Sequence, residues 1–281
     1  MNLKLAALFA AILWGFTFIA TTTLLPQNPI FLGAVRALGG GLLLLALAPQ
    51  RVPNGYWLKM ITLGTLNCGT FFAVFVSAIR LPGGVAGIFF TLGPMISFLF
   101  AWALLREPPT WIKLGSIAIG AVGVALVILR GDAEIDMWGV GAALVTVVAG
   151  SLGGVLINRW GRPEVMSPLS FAAWQLLVGG VEHTVLALTL SDLPSAIDVR
   201  NLLGLVILSV ALTALPFLLW FRAIAALGAA SVAPFVLATP IVAFIVDAVV
   251  RQVVPSMLQV VGVMLVMVGL IISQRTGEEA A

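Results

Sequence analysis

Apolar and polar residues follow one another along this chain in long blocks, not in the short alternation of a water-soluble fold. Ten apolar segments stand out, at 3–23, 31–48, 57–79, 84–105, 111–129, 137–157, 168–190, 201–221, 230–250 and 255–273. As helices rising about 1.5 Å per residue, they are long enough to cross about 30 Å of hydrocarbon. Turn-forming or charged residues separate them, such as Pro26-Gln27-Asn28-Pro29 and Pro49-Gln50-Arg51-Val52-Pro53-Asn54-Gly55. The pattern predicts an all-α membrane protein with ten transmembrane helices. The run from Leu3 is too long for a signal-peptide core and no A-x-A site follows before Pro26, so it reads as the first of the ten.

The block order repeats. Setting Pro94 on Pro240 also sets Leu81 on Leu227, Val85 on Ser231, Gly87 on Ala233 and Phe89 on Phe235. Pro29 can likewise be laid on Pro168, which places Arg36 on Gln175. The first alignment needs a spacing of 146 and the second 139, so the second half gains residues, most simply around Ser191–Asn201. The most polar internal stretch, Gly131-Asp132-Ala133-Glu134-Ile135-Asp136, falls at the midpoint. The expected division is a five-helix repeat over 1–131, a second over 132–273, and a short cytoplasmic tail over 274–281. Five crossings per copy force the second copy to be inverted. Inverted repeats are common among secondary transporters, whose substrates bind near the midplane between the halves.

Composition agrees: of 281 residues, 61% are hydrophobic and 9% charged, against about 25% charged in soluble domains. The mean hydropathy is +1.17. A formal charge of +3 does not point to nucleic acid, because the Lys and Arg residues are scattered singly with no basic patch. Topology accounts for them better. Lys4, Arg51, Lys59, Arg106, Lys113, Arg159, Arg162, Arg222 and Arg275 fall on one side, and only Arg80, Arg130, Arg200 and Arg251 on the other. The richer side is cytoplasmic, which puts both termini inside. The single Cys68 reads as a small core residue, and no metal or cofactor is expected. No HExxH, Walker loop, G-x-S-x-G or CxxC is present, so nothing supports an enzyme.

Trp14-Gly15, Arg36, Leu81-Pro82-Gly83-Gly84, Pro94, Arg106-Glu107-Pro108 and the glycines Gly115, Gly120 and Gly123 stand in an order that resembles the drug/metabolite transporter superfamily. The resemblance is to its ten-helix EamA-type members, and among these to the aromatic-amino-acid exporter branch. The second half departs from that pattern near Arg251-Gln252-Val253, where an acidic residue is usual. The resemblance implies a cavity formed by helices 1, 3 and 4 with 6, 8 and 9. On those helices the candidate substrate-binding residues are Trp14, Thr17, Asn67, Phe71, Phe75, Phe90, Trp102, Ser151, Asn158, Thr213, Phe217, Trp220 and Phe235. Thr21, Thr70 and Thr239 add further hydroxyls.

Each class of residue has a plainer reading beside the functional one. Pro94, Pro216, Pro234 and Pro240 are fixed kinks, or gating hinges that free backbone carbonyls. Gly83 with Gly87 and Gly150 with Gly154 serve close helix contact, or make room for substrate. Arg36 and Glu182 are intramembrane charges at similar depth, expected to neutralise one another; alternatively Arg36 meets a substrate carboxylate. His183 reads as a satisfied core residue, and Asp247 with Arg251 as a solvated i,i+4 pair. Trp57, Trp111 and Trp138 suit interfacial anchoring.

The function expected is export of small neutral or zwitterionic metabolites, amino acids foremost, across a bacterial inner membrane by alternating access. The alternatives are a multidrug or other metabolite exporter of the same fold, or a channel. The expected partners are a small-molecule substrate and the lipid bilayer, with the chain a monomer or a weak homodimer.

Overall fold

In a computed structural model, the described residues are 2–81, 83–108, 110–128, 136–190, 192–227, 232, 235–236, 238–252 and 255–278, and all regular structure among them is helical. Hydrocarbon offers no partner for a bare N–H or C=O, so each segment bonds within itself. The first half contributes α1 (Leu3–Thr23), α2 (Pro29–Leu47), α3 as α3a (Trp57–Asn67) and α3b (Phe71–Arg80), α4 as α4a (Gly83–Phe89) and α4b (Gly93–Leu105), and α5 (Trp111–Ile128). The second contributes α6 (Met137–Trp160), α7 (Pro168–Thr189), α8 as α8a (Val199–Ser209) and α8b (Leu215–Leu227), α9 (Ala238–Arg251) and α10 (Met257–Glu278).

Seven of these units are long and apolar enough to cross a membrane, and α5 and α10 carry shorter apolar cores, Leu114–Val127 and Met257–Gly269. Leu58, Leu188 and Leu203 face outward, while Thr21, Ser170 and His183 are fully enclosed. An apolar exterior around buried polar groups suits a lipid-facing surface.

Contacts between helices keep their pattern when the halves are exchanged. α1 packs on α8 and α9, and its counterpart α6 packs on α3 and α4. α2 lies along α7, and α5 along α10. At the last pairing a Cβ on Gly123 would stand 2.7 Å from the Gly262 carbonyl, and one on Gly262 2.6 Å from the Gly123 carbonyl. The two backbones touch there.

Helices expected to be continuous are broken, and the breaks also correspond. α3 is interrupted by a turn at 68–70, and α8 by a π-helical turn, Val210–Ala214. α4 is interrupted by a 3-10 turn, Phe90–Leu92, and a 3-10 turn at 235–236 precedes α9. Pro94 and Pro216 each stand second in the piece that follows a break, and Pro240 third in α9. The backbone ladder runs up to each of the first two, Gly93 bonding the Phe90 carbonyl and Leu215 the Val210 carbonyl, and the proline that follows has no N–H to continue it. Pro94 thus follows a 3-10 stretch and Pro216 a π turn inside runs that stay helical throughout, and these irregular turns accommodate the missing N–H. Pro234 lies outside the described residues.

Of the small-residue pairs, Gly87 does face α9, where an added Cβ would lie 3.0 Å from Ala243 Cβ. Gly150 and Gly154 have nothing within 4 Å, so that pair is not a helix contact. The extra length in the second half was expected in the loop before α8, but that link, 190–198, is as long as its counterpart, 48–56. The added residues lie in the helices, α7 with 22 residues against 19 in α2 and α8 starting at Val199. The loop before α8 has other work to do. The carboxylate of Asp192 accepts from Asn28 Nδ2 at 3.1 Å and from the backbone N–H of Ile30 at 2.8 Å and Phe31 at 3.4 Å, capping α2 from the other half.

Candidate functional site

A cavity of about 430 Å³ opens between the halves, within the range of about 300–1,000 Å³ typical of small-molecule sites. α1, α2, α3 and α4 border it from one side, α6, α8 and α9 from the other. The breaks in α3 and α4 place Asn67, Phe71, Phe90, Thr91 and Gly93 on its wall. Its aromatic side is built in contact pairs. Trp14 stands edge-on to Phe217 at 5.6 Å between centroids, and Phe18 meets Phe90 at 5.8 Å.

The polar groups are mostly engaged. Ser97 Oγ and Ser151 Oγ both donate to the Gly93 carbonyl at 2.9 Å, and Thr239 Oγ1 donates to the Ala11 carbonyl at 2.9 Å. Asn67 Nδ2 donates to Gln175 Oε1 at 2.7 Å. Among the described residues, two buried polar atoms stand without a hydrogen-bond partner, Thr17 Oγ1 and Arg36 Nε, and both belong to residues bordering the cavity.

Arg36 is 7% exposed and forms no ion pair among the described residues. Its guanidinium carbon lies 4.6 Å from the centroid of the Phe71 ring and 5.9 Å from that of Phe75. Placing an arginine in hydrocarbon costs about 2.5–3.5 kcal/mol on insertion scales. A desolvated cation–π contact returns about 2 kcal/mol. The ring offsets part of the cost.

The expected pairing of Arg36 with Glu182 does not form. α2 and α7 meet through small groups; a Cβ on Gly33 would lie 2.3 Å from the His183 ring, and one on Gly180 2.8 Å from Leu38. Glu182, displaced about 100° around α7 from His183, sits on the flank of that contact and accepts from Thr65 Oγ1 at 2.5 Å. The two charges thus reach the same break in α3 from different directions, Arg36 at Phe71 and Glu182 at Thr65.

Trp14, Thr17, Arg36, Asn67, Phe71, Phe90, Pro94, Ser151, Phe217 and Pro240 border one cavity. The other candidates lie elsewhere. Phe75 is fully buried in the main core beneath Arg36. Trp102 is 55% exposed on the outer face, and Asn158 is also exposed. Thr213 is fully buried, donates to the Leu208 carbonyl at 2.7 Å within the π turn, and faces Gly40 of α2. Trp220 backs Trp14 at 5.3 Å, and with Phe235 it packs on a small cluster of Ala7, Ala223 and Val232. Pro216 is buried inside α8b. Asp247 holds Arg251 Nε at 2.7 Å as expected, but its carboxylate is mostly buried. Arg251 also donates to Thr22 Oγ1 at 3.2 Å, which ties α9 to α1.

Phe18, Thr91, Ser97, Thr146 and Val147 border the cavity without having been singled out. Helical spacing carried the signal: Thr91 and Ser97 lie three residues either side of Pro94, and Val147 four before Ser151.

The EamA-like transporter family matches twice along the sequence, over residues 3–129 and again over 137–274. The chain belongs to the EamA-like transporter family. Among EamA-like relatives, Protein PecM of Dickeya dadantii (strain 3937) is 32% identical over 276 residues, covering 98% of this chain and 93% of its own. An uncharacterized transporter of Bacillus subtilis (strain 168), YvbV, is 25% identical over 86% of this chain and 81% of its own. An S-adenosylmethionine/S-adenosylhomocysteine transporter of Chlamydia trachomatis serovar L2 is 26% identical over 61% of this chain and 57% of its own. A solved crystal structure superposes with a TM-score of 0.65 over 99% of this chain and 98% of that one, at 21% identity. The duplication, the helical build and the relatives together make this EamA-like chain a multi-pass membrane transporter.

Proposed function

We propose that this transporter exports small neutral or zwitterionic metabolites, amino acids foremost and aromatic ones among them, across a bacterial inner membrane. It works by alternating access as a monomer or weak homodimer, with inverted five-helix halves and both termini cytoplasmic. The observation that carries the reading is an aromatic-walled cavity shared by both halves and bordered by broken helices. Breaks at corresponding places in the two halves give each half a joint at the height of the solute. A named relative handles S-adenosylmethionine, an amino-acid derivative, which supports a metabolite of this class. No Asp or Glu borders the cavity among the described residues, which favours gradient-driven movement over proton exchange at the site.

Proteoliposomes loaded with radiolabelled amino acids, nucleosides and cationic drugs, with and without a pH gradient, test the reading. Saturable amino-acid flux with trans-stimulation is expected. Flux that does not saturate indicates a pore, and absence of flux for every solute removes the proposal.

A further inference from the structure

We infer that the cavity recognises its solute by a carboxylate held against Arg36, and that the solute's amino group is dispensable. The inference rests on the transport reading above and narrows it to carboxylate-bearing small molecules. Three independent features point this way. The Arg36 side chain borders the cavity while almost fully buried, and its Nε has no hydrogen-bond partner among the described residues. The Phe71 ring engages the guanidinium at 4.6 Å, which steadies the cation without neutralising it. No acidic side chain borders the cavity among the described residues, and Glu182 is turned to Thr65 instead.

The consequence for recognition is one-sided. A carboxylate entering the cavity meets a desolvated cation able to give two parallel N–H bonds, the strongest arrangement available to it. Thr17 Oγ1, buried and unpartnered on the same wall, offers one hydroxyl more. An ammonium meets a like charge and no carboxylate. A zwitterion therefore gains an ionic partner at one end only. Its amino group has hydroxyl, amide and carbonyl groups and ring faces to meet, but no counter-charge among the described residues.

The test uses the purified full chain and two sets of compounds sharing a side chain. One set is phenylalanine, hydrocinnamate and phenethylamine; the other is leucine, isocaproate and isoamylamine. Thermal shift of the protein in detergent and competition against labelled amino-acid flux in proteoliposomes are read for each. Hydrocinnamate or isocaproate is expected to match its amino acid within about threefold, and the amines to have no effect at about tenfold higher concentration. Arg36→Gln is expected to weaken both carboxylates by at least about tenfold, with Arg36→Lys recovering part of the loss. Ligand-free Arg36→Gln is expected to melt no lower than the parent, because the substitution removes a buried charge that has no anionic partner among the described residues and whose burial costs more than the ring contact returns.

Binding of the amines, failure of the carboxylate-only compounds, unchanged affinity in Arg36→Gln, or a lower melting temperature for its ligand-free form each overturns the inference. Failure of the transport reading looks different, since no labelled solute would then move with either residue at position 36.

Discussion

His183 Nε2 accepts a 3.0 Å hydrogen bond from the backbone N–H of Phe72, the second residue after the break in α3. Its Nδ1 lies 2.6 Å from the Gly179 carbonyl, so the proton belongs on Nδ1 and the ring is neutral. A side chain on α7 thus supplies the cap that α3b lacks in its own sequence. His183→Leu leaves that N–H buried and bare, and is expected to cost about 1–3 kcal/mol. The drop should show in thermal unfolding of the detergent-purified protein, and a melting temperature equal to the parent's would refute the capping role.

Thr17 is the converse case, a buried hydroxyl with no partner to lose. Thr17→Val should leave stability unchanged or raise it, and lower affinity for the transported solute by several-fold. Paired melting and flux measurements separate the two effects. A destabilised Thr17→Val with unchanged flux would place the hydroxyl in the fold alone.

Where α5 crosses α10 there is no room for a side chain, since each glycine would drive a Cβ to within about 2.7 Å of the facing carbonyl. Gly123→Leu or Gly262→Leu forces the helices apart. Overpacking of this kind costs about 1–3 kcal/mol or more, seen as reduced melting temperature and yield. Gly154→Ala, where the space is open, is expected to be silent in the same measurements.

Pro94 stands second in α4b, behind the 3-10 turn at Phe90–Leu92. Pro94→Ala restores an N–H and lets the turn wind into a continuous helix. Stability should change by less than about 1 kcal/mol, while maximal flux falls because the joint beside the cavity has stiffened. Unchanged flux at equal reconstitution would show that the break is only structural.

At the C-terminal end of α3b, Arg80 Nη1 pairs with Asp136 Oδ2 at 2.7 Å, and the same carboxylate caps α6 by accepting from the backbone N–H groups of Trp138 and Gly139. The Arg80 hydrogen bond, then the backbone N–H of Gly139, holds the Asp136 carboxyl below its ordinary value of 3.8. A lowered folded value means that the ionised form stabilises the protein. The advantage over Asp136→Asn is therefore full above about 3.8. It fades as the pH falls through the lowered folded value. Melting curves of both forms across acid pH should converge at the acid end, and a gap that persists there contradicts the assignment.

The helices and their duplication were legible because hydrophobic blocks are dictated by the bilayer, and Pro94 on Pro240 marks the same turn in each half. Cavity residues near those breaks, such as Asn67, Phe71 and Phe217, could be read for the same reason. Thr213 and Trp102 could not. A π turn rotates Thr213 onto α2 by one extra residue, and Trp102 follows a 3-10 turn that resets the facing of α4b. The Arg36–Glu182 pairing failed because depth along a helix says nothing about azimuth, and glycines at Gly33 and Gly180 fix how α2 and α7 turn toward each other.

The cap that Asp192 places on α2 has a bearing on biosynthesis. Synthesis runs from the N-terminus, so the leading amides of the second helix emerge long before the carboxylate that closes them. The first quintet cannot reach its finished form in the membrane until the ribosome has passed the seventh helix, and a nascent chain halted short of residue 192 should carry a frayed, protease-sensitive start to that helix.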